Sequence, residues 1–141
     1  MMFWSEDNIK QKITYKELNN QVTSLAKTLK HEMNVKPNDA MIGFMHNSPH
    51  DVIEMLATTS IGAIWSSGSP DFGVDGAFDI FGQIEPKVLF ACNGNFYNDK
   101  QIDACDKVKH IEKRLKDSLN HTIVFDHVDN NNDSWPNHFK S

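Results

Sequence analysis

Residues 40–66 read AMIGFMHNSPHDVIEMLATTSIGAIWS, and the hydrophobic period changes twice inside that stretch. Ala40 to Met45 is a nearly continuous apolar run, the pattern of a short strand covered on both faces. Ser48 is placed to cap a helix and Pro49 to take its first position, where no amide hydrogen is needed. An apolar face then runs through Val52, Ile53, Leu56, Ala57 and Ser60. Ile61-Gly62 closes the helix, and Ala63-Ile64-Trp65-Ser66 predicts a second strand. Strand, helix and strand joined by short turns are the unit of a parallel sheet with right-handed crossovers.

The same alternation extends in both directions. Upstream, Thr14-Tyr15-Lys16-Glu17 has the spacing of a capping box, with Ile13 and Leu18 placed as a hydrophobic staple. Leu18, Val22, Leu25, Ala26, Leu29 and Met33 then repeat on one helical face, and Pro37-Asn38-Asp39 marks the turn that follows. Downstream, Ser67 to Gly73 holds Gly68, Pro70 and Gly73 and predicts a loop. The next helix has Ala77, Phe78, Phe81 and Ile84 inward and stops at Glu85-Pro86. Val88 to Cys92 predicts a third strand, Gly94 to Asp99 a polar loop, Ile102 to Leu119 a helix and Thr122 to Phe125 a last strand. The fold class is therefore α/β, a mainly parallel sheet with helices on both faces. Residues 1–12 are a lead-in, 13–125 the structured body and 126–141 a polar linker or tail too poor in apolar groups to offset its ordering entropy.

Composition narrows the function classes. A chain of 141 residues with 39% hydrophobic and 23% charged residues has the make-up of one ordinary globular unit. Fourteen basic against nineteen acidic residues leave a net charge of -5, which disfavours nucleic acid and anionic membrane as partners. No apolar run approaches the length of a membrane span and the amino terminus lacks the pattern of a secretion signal, so a cytosolic protein is expected. Cys92 and Cys105 form no CxxC pair and the histidines show no HxxxH or HExxH spacing, so no metal site is expected.

In open parallel sheets, ligands lie at the carboxyl ends of the strands, here near His46-Asn47, Ser66 to Gly73 and Asn93 to Asn98. The glycines 62, 68, 73 and 76 make neither GxGxxG nor GxxxxGK[ST], so they read as turn residues rather than a nucleotide cradle. Asp75 and Asp79 read as solvent-facing carboxylates near a helix start. Trp65 reads as a core residue. Lys107, Lys109, Lys113, Arg114 and Lys116 read as the solvated face of a helix.

Four segments carry a more specific signal: Asn47-Ser48-Pro49, residues 55–67 (MLATTSIGAIWSS), Ser69-Pro70-Asp71-Phe72-Gly73 and residues 81–90 (FGQIEPKVLF). Together they closely resemble the acetoacetyl-CoA synthetases, a branch of the adenylate-forming acyl-CoA synthetases. Ile13-Thr14-Tyr15 with Glu17-Leu18 resembles the opening motif of that superfamily. The resemblance covers about Ile13 to Phe125.

It implies a ligase that uses ATP, magnesium and CoA. Acetoacetate attacks the α-phosphate of ATP to give an acyl-adenylate and pyrophosphate, and the CoA thiol then displaces AMP. It also implies that the phosphate loop and the lid lysine lie in parts of the family's chain beyond the point matched by Ser141. These 141 residues are thus expected to be catalytically incomplete alone, and no catalytic residue or tightly bound cofactor is assigned to them. Ser69, Pro70, Asp71 and Phe72 match the loop that lines CoA in related synthetases, with Lys100 a nearby cation. The sequence departs from the family at Gly68 (usually cysteine), Ile80 (often arginine) and Phe96 (a basic residue near the CoA phosphates). An alternative is a non-catalytic truncated paralogue or isoform with a binding role. A flavodoxin-like nucleotide-binding domain would share only the alternation of elements.

Overall fold

A computed structural model describes residues 2–4, 10–97 and 100–125, and the polar stretch from Asp126 lies outside them. Its centre is a four-stranded, all-parallel sheet made of β3 (Ala40–Phe44), β4 (Ile64–Gly68), β5 (Val88–Cys92) and β8 (His121–Phe125), in the order β4-β3-β5-β8. Two antiparallel pairs accompany it: β1 (Met2–Trp4) with β2 (Lys10–Lys12), and β6 (Gly94–Tyr97) with β7 (Lys100–Asp103).

The capping box forms as the spacing requires. The Thr14 hydroxyl accepts from the Glu17 amide at 3.2 Å, and the Thr14 amide donates to Glu17 Oε2 at 2.8 Å. The Thr14 amide, with a smaller contribution from the Thr14 hydroxyl donating to Glu17 Oε2 at 2.9 Å, holds the Glu17 carboxylate below its usual range. Helix α1 (Tyr15–Lys27) follows, and its last turn widens to a π turn over Thr28–Glu32 that carries the fully buried Leu29 inward. At the head of α2 (Pro49–Ser60), the Ser48 hydroxyl accepts from the Asp51 amide at 3.3 Å and Pro49 sits in the first turn. Gly62 ends that connection at φ +79°, a left-handed conformation that favours glycine.

Helices cover both faces. On one, Leu29, Met41, Ala57, Val88 and Phe90 form a core against which Val22 and Leu25 of α1 pack. On the other, Ile42, Phe44, Phe81, Leu89 and Ile111 join α3 (Val74–Phe81) to α4 (Cys105–Arg114). Every residue of β3 and of β5 is buried, as their unbroken apolar runs anticipate. At the amino ends of the strands, Asp39 accepts from the Lys36 amide at 2.7 Å and pairs with Lys87 at 2.9 Å. Burial raises the Asp39 carboxyl pKa, but these partners outweigh it and hold it below its ordinary value.

Several expectations are corrected. Gly94–Tyr97, expected as part of a polar loop, is a strand, and the helix expected from Ile102 starts at Cys105 after Lys100–Asp103 has paired as the return strand; Asn98 and Asp99 lie outside the described residues. The Ala104 amide closes this hairpin onto the Asn93 carbonyl at 3.1 Å. Strands of four residues are too short for periodicity to reveal. The helix also ends early, at Arg114, and Leu119 packs against the core from the turns beyond it. On α2 the buried arc is displaced toward Glu54 and Thr58, leaving Leu56 36% and Met55 39% exposed. Ile84, expected inward, sits in a 3₁₀ turn after α3 and is also 36% exposed. Trp65, read as core, is half-buried and does pack against the core, its ring tilted against Phe90 at 5.8 Å. Residues 1–12, read as a lead-in, contain the β1–β2 pair.

Candidate functional site

The order β4-β3-β5-β8 reverses direction beside β3: the first crossover runs outward to β4, and the second returns across β3 to β5. Such a switch opens a crevice at the carboxyl ends of the strands. On the β4 side of β3, at the same carboxyl ends, a cavity of about 350 Å³ is bounded by Met45, His46 and Asn47 after β3, by Ser67 and Gly68 of β4 and by Asp51 from the first turn of α2. Ser69, Asp71 and Phe72 complete the wall. A larger cavity, about 500 Å³, lies at the opposite end beside Lys87 and Asn120, where the strands begin.

The Ser69–Phe72 loop is shaped by its own polar groups. The Ser69 hydroxyl accepts from the Asp71 amide at 3.2 Å and donates to Asp71 Oδ2 at 3.1 Å, while the Phe72 amide donates to the Ser69 carbonyl at 3.0 Å. This turn leaves Phe72 48% exposed at the rim. Pro70 does not line the cavity; its carbonyl accepts instead from Lys107 Nζ of α4 at 2.9 Å. Lys100 lies on β7, and its side chain, like that of Phe96, is outside the described part. The structure thus gathers three of the five residues singled out from the sequence, Ser69, Asp71 and Phe72, around one cavity.

Gly68 has a steric reason. A Cβ there would stand 2.9 Å from Phe81 Cζ and 3.6 Å from Phe72 Cδ2, and Phe81 is fully buried. The space a side chain at position 68 would need is filled by the neighbouring ring. Ile80 is 44% exposed on α3.

Sequence reasoning missed the acidic floor under this wall. Asp51 Oδ1, His46 Nε2 and both carboxyl oxygens of Glu54 are buried without a hydrogen-bond partner among the described residues. Glu54 is 0% exposed, and its pKa is pushed up to about 9, first by burial and then by the charge of Asp51. Burial also raises the Asp51 carboxyl and the Cys92 thiol, the latter with a smaller push from Glu54. Glu54 is therefore a neutral acid at pH 7. The pattern held a trace of this in a lone acid between Ile53 and Met55 on a helix with one sheet-facing side. Asp51 gave no such trace, because three residues after Ser48 it reads as part of a cap.

Lys113 on α4 and Lys116 just beyond its end are exposed, as a solvated face requires. Arg114, also exposed, pairs with Asp75 at 2.6 Å and lies 4.0 Å over the Phe78 ring, while the Asp75 side chain stays 93% exposed, as a solvent-facing carboxylate should. Among the described residues no group of three or more His, Cys, Asp or Glu is placed to hold a metal ion, and no helix is long and apolar enough to cross a membrane.

Comparison with known proteins places this geometry in a family. The AMP-binding enzyme family profile matches residues 3–140. Acetoacetyl-CoA synthetase of Mus musculus is 43% identical over 117 residues, covering 83% of this chain and 17% of that protein. Acetoacetyl-coenzyme A synthetase of Rhizobium meliloti is 41% identical over 115 residues, covering 82% of this chain and 18% of that protein. Among solved structures, the acetoacetyl-CoA synthetase from Streptomyces lividans superposes with a TM-score of 0.90 at 33% identity, over 97% of this chain and 20% of that one. The chain thus spans less than a fifth of the length of these relatives. With the profile match running nearly end to end and the parallel sheet superposing on a solved member, the chain belongs to the AMP-binding enzyme family, as an acetoacetyl-CoA synthetase-like member.

Proposed function

We propose that this chain is a segment of an acetoacetate–CoA ligase and supplies one wall of its CoA site, without carrying out adenylation or thioester formation by itself. The observation that supports the reading is the cavity at the carboxyl ends of β3 and β4, rimmed by Ser69, Asp71 and Phe72 in the stretch that matches acetoacetyl-CoA synthetases. Residues 13–125 form the part of the AMP-binding domain that builds this wall.

The cofactors implied by the family fit unequally. The cavity presents an imidazole, the Asn47 amide, two carboxyl groups and the Phe72 ring, and among the described residues its lining includes no lysine or arginine. That donor and acceptor set suits a neutral, hydrogen-bonding portion of CoA and opposes its phosphates. A phosphate partner would come from Lys100 on the neighbouring hairpin. For ATP and magnesium the sequence holds neither a glycine-rich phosphate loop with its lysine nor, among the described residues, an acidic cluster for the metal. No step of the reaction is assigned to these residues. Acetoacetate, ATP and CoA are the partners of the ligase reaction, in the cytosol.

Two measurements test the reading. Millimolar CoA should shift the amide resonances of Ser69, Asp71 and Phe72 in the chain, and Phe72→Ala should abolish the shift. Acetoacetate, ATP, magnesium and CoA added to the same protein should give no acetoacetyl-CoA. Resonances indifferent to CoA would remove the wall, and measurable thioester would remove the claim of dependence on further residues.

A further inference from the structure

Lys107 stands on α4, where its neighbours in sequence read as a solvated face, yet it is only partly exposed and donates to the carbonyl of a residue 37 positions away. That acceptor, Pro70, is the corner of the Ser69–Phe72 loop. A proline carbonyl in a tight turn has no strand partner, so a cationic donor is the strongest bond available to it. The loop's other bonds described above are internal: Ser69 with Asp71, and the Phe72 amide with Ser69. Internal bonds fix the shape of a turn but not its position on the sheet.

Two helical turns further along α4, Arg114 pairs with Asp75 in the first turn of α3 and covers Phe78 one turn on. Lys107 and Arg114 are seven residues apart and so share a face of the helix. One basic edge of α4 therefore grips both ends of the segment that runs from the loop into α3.

We propose that Lys107 is a positioning residue that holds the Ser69–Phe72 loop against the carboxyl end of the sheet, so that Phe72 and Asp71 stay at the rim of the cavity. The assignment rests on the CoA-wall reading for its consequence but not for its geometry. Lysine suits the task because its long stem reaches along the helix while one of its three donors meets the carbonyl and the others stay in water.

The test is amide hydrogen exchange on the 141-residue chain with Lys107→Met and Lys107→Arg, with Leu89 and Phe90 of the fully buried strand as internal references. Lys107→Met keeps the apolar stem and removes the donor. It should speed exchange at Asp71 and Phe72 roughly tenfold, equivalent to about 1.4 kcal/mol, while Leu89 and Phe90 keep their rates. Lys107→Arg restores a cationic donor and should return the loop to within about threefold of the parent. Unchanged loop exchange in Lys107→Met overturns the proposal. So does an equal rise in the strand, which marks global loosening, or a failure of arginine to rescue.

Adding CoA separates the two claims. If CoA protects the loop amides in the parent chain, its affinity should fall in Lys107→Met and recover in Lys107→Arg. If CoA leaves the parent unaffected, the wall reading fails while the exchange comparison still decides the anchor.

Discussion

Replacing Glu54 by glutamine should remove the pH dependence of stability that this one side chain imposes. The carboxyl is fully buried with neither oxygen bonded, and its pKa rises from an ordinary 4.5 to about 9. Between those values the folded chain holds a proton that the unfolded chain releases, so stability is complete below about pH 4.5 and declines as pH rises toward 9. The limiting slope is about 1.4 kcal/mol per pH unit, which accumulates to about 4 kcal/mol between pH 5 and pH 8. Against a typical total of about 5–15 kcal/mol this is a large share. Glutamine has nearly the same shape and does not titrate, so Glu54→Gln should gain on the parent by about 4 kcal/mol across that interval. With a urea slope of about 2 kcal/mol/M, its midpoint should move about 2 M relative to the parent from pH 5 to pH 8. The lowered carboxyls of Glu17 and Asp39 act in the opposite sense, losing their contribution only as pH falls below their ordinary range. Urea midpoints at four pH values for both proteins decide the matter. If the two curves run parallel, Glu54 is not a buried neutral acid in the folded chain.

Three further outcomes are expected. Gly68→Ala places a methyl 2.9 Å from the buried Phe81 ring and should cost about 1–3 kcal/mol of stability in thermal or urea unfolding, with equal stability counting against the packing described. Cys92 and Cys105 are both buried, and the Cys92 thiol is held protonated by its surroundings, so a thiol reagent at pH 7.5 should label neither until urea unfolds the chain. Thr14→Ala removes the hydroxyl that caps α1 and should lower stability by about 1 kcal/mol, whereas Thr14→Ser should restore most of it.

What was legible in the sequence follows from how local its causes are. The Thr14–Glu17 box, the Ser48-Pro49 start and the strands β3 and β5 rest on short-range chemistry or unbroken apolar runs, and each was read from a few adjacent residues. The β6–β7 hairpin was not, because its pairing joins two four-residue pieces whose alternation is no clearer than that of a loop. Leu56 and Ile84 show the limit of periodicity: an apolar residue at the right spacing still turns outward when neighbouring elements set the helix orientation. At the site, Ser69, Asp71 and Phe72 were found through resemblance and strand-end logic. Glu54 and Lys107 were missed because their roles exist only across the fold, between a helix and the sheet in one case and over 37 residues in the other.

The parallel register of the central sheet sets an order of events during synthesis. Unlike a hairpin, no neighbouring pair among β3, β4, β5 and β8 can form from adjacent residues, since every pairing waits for a whole helix to be made and folded back. As the chain leaves the ribosome, β3 and β4 can meet first, while the other side of β3 stays bare until Cys92 has emerged. β5 stays bare in turn until Phe125 follows. Nascent chains paused inside α3 or α4 would thus display an apolar strand to solvent, and chaperone capture should concentrate at those two pauses.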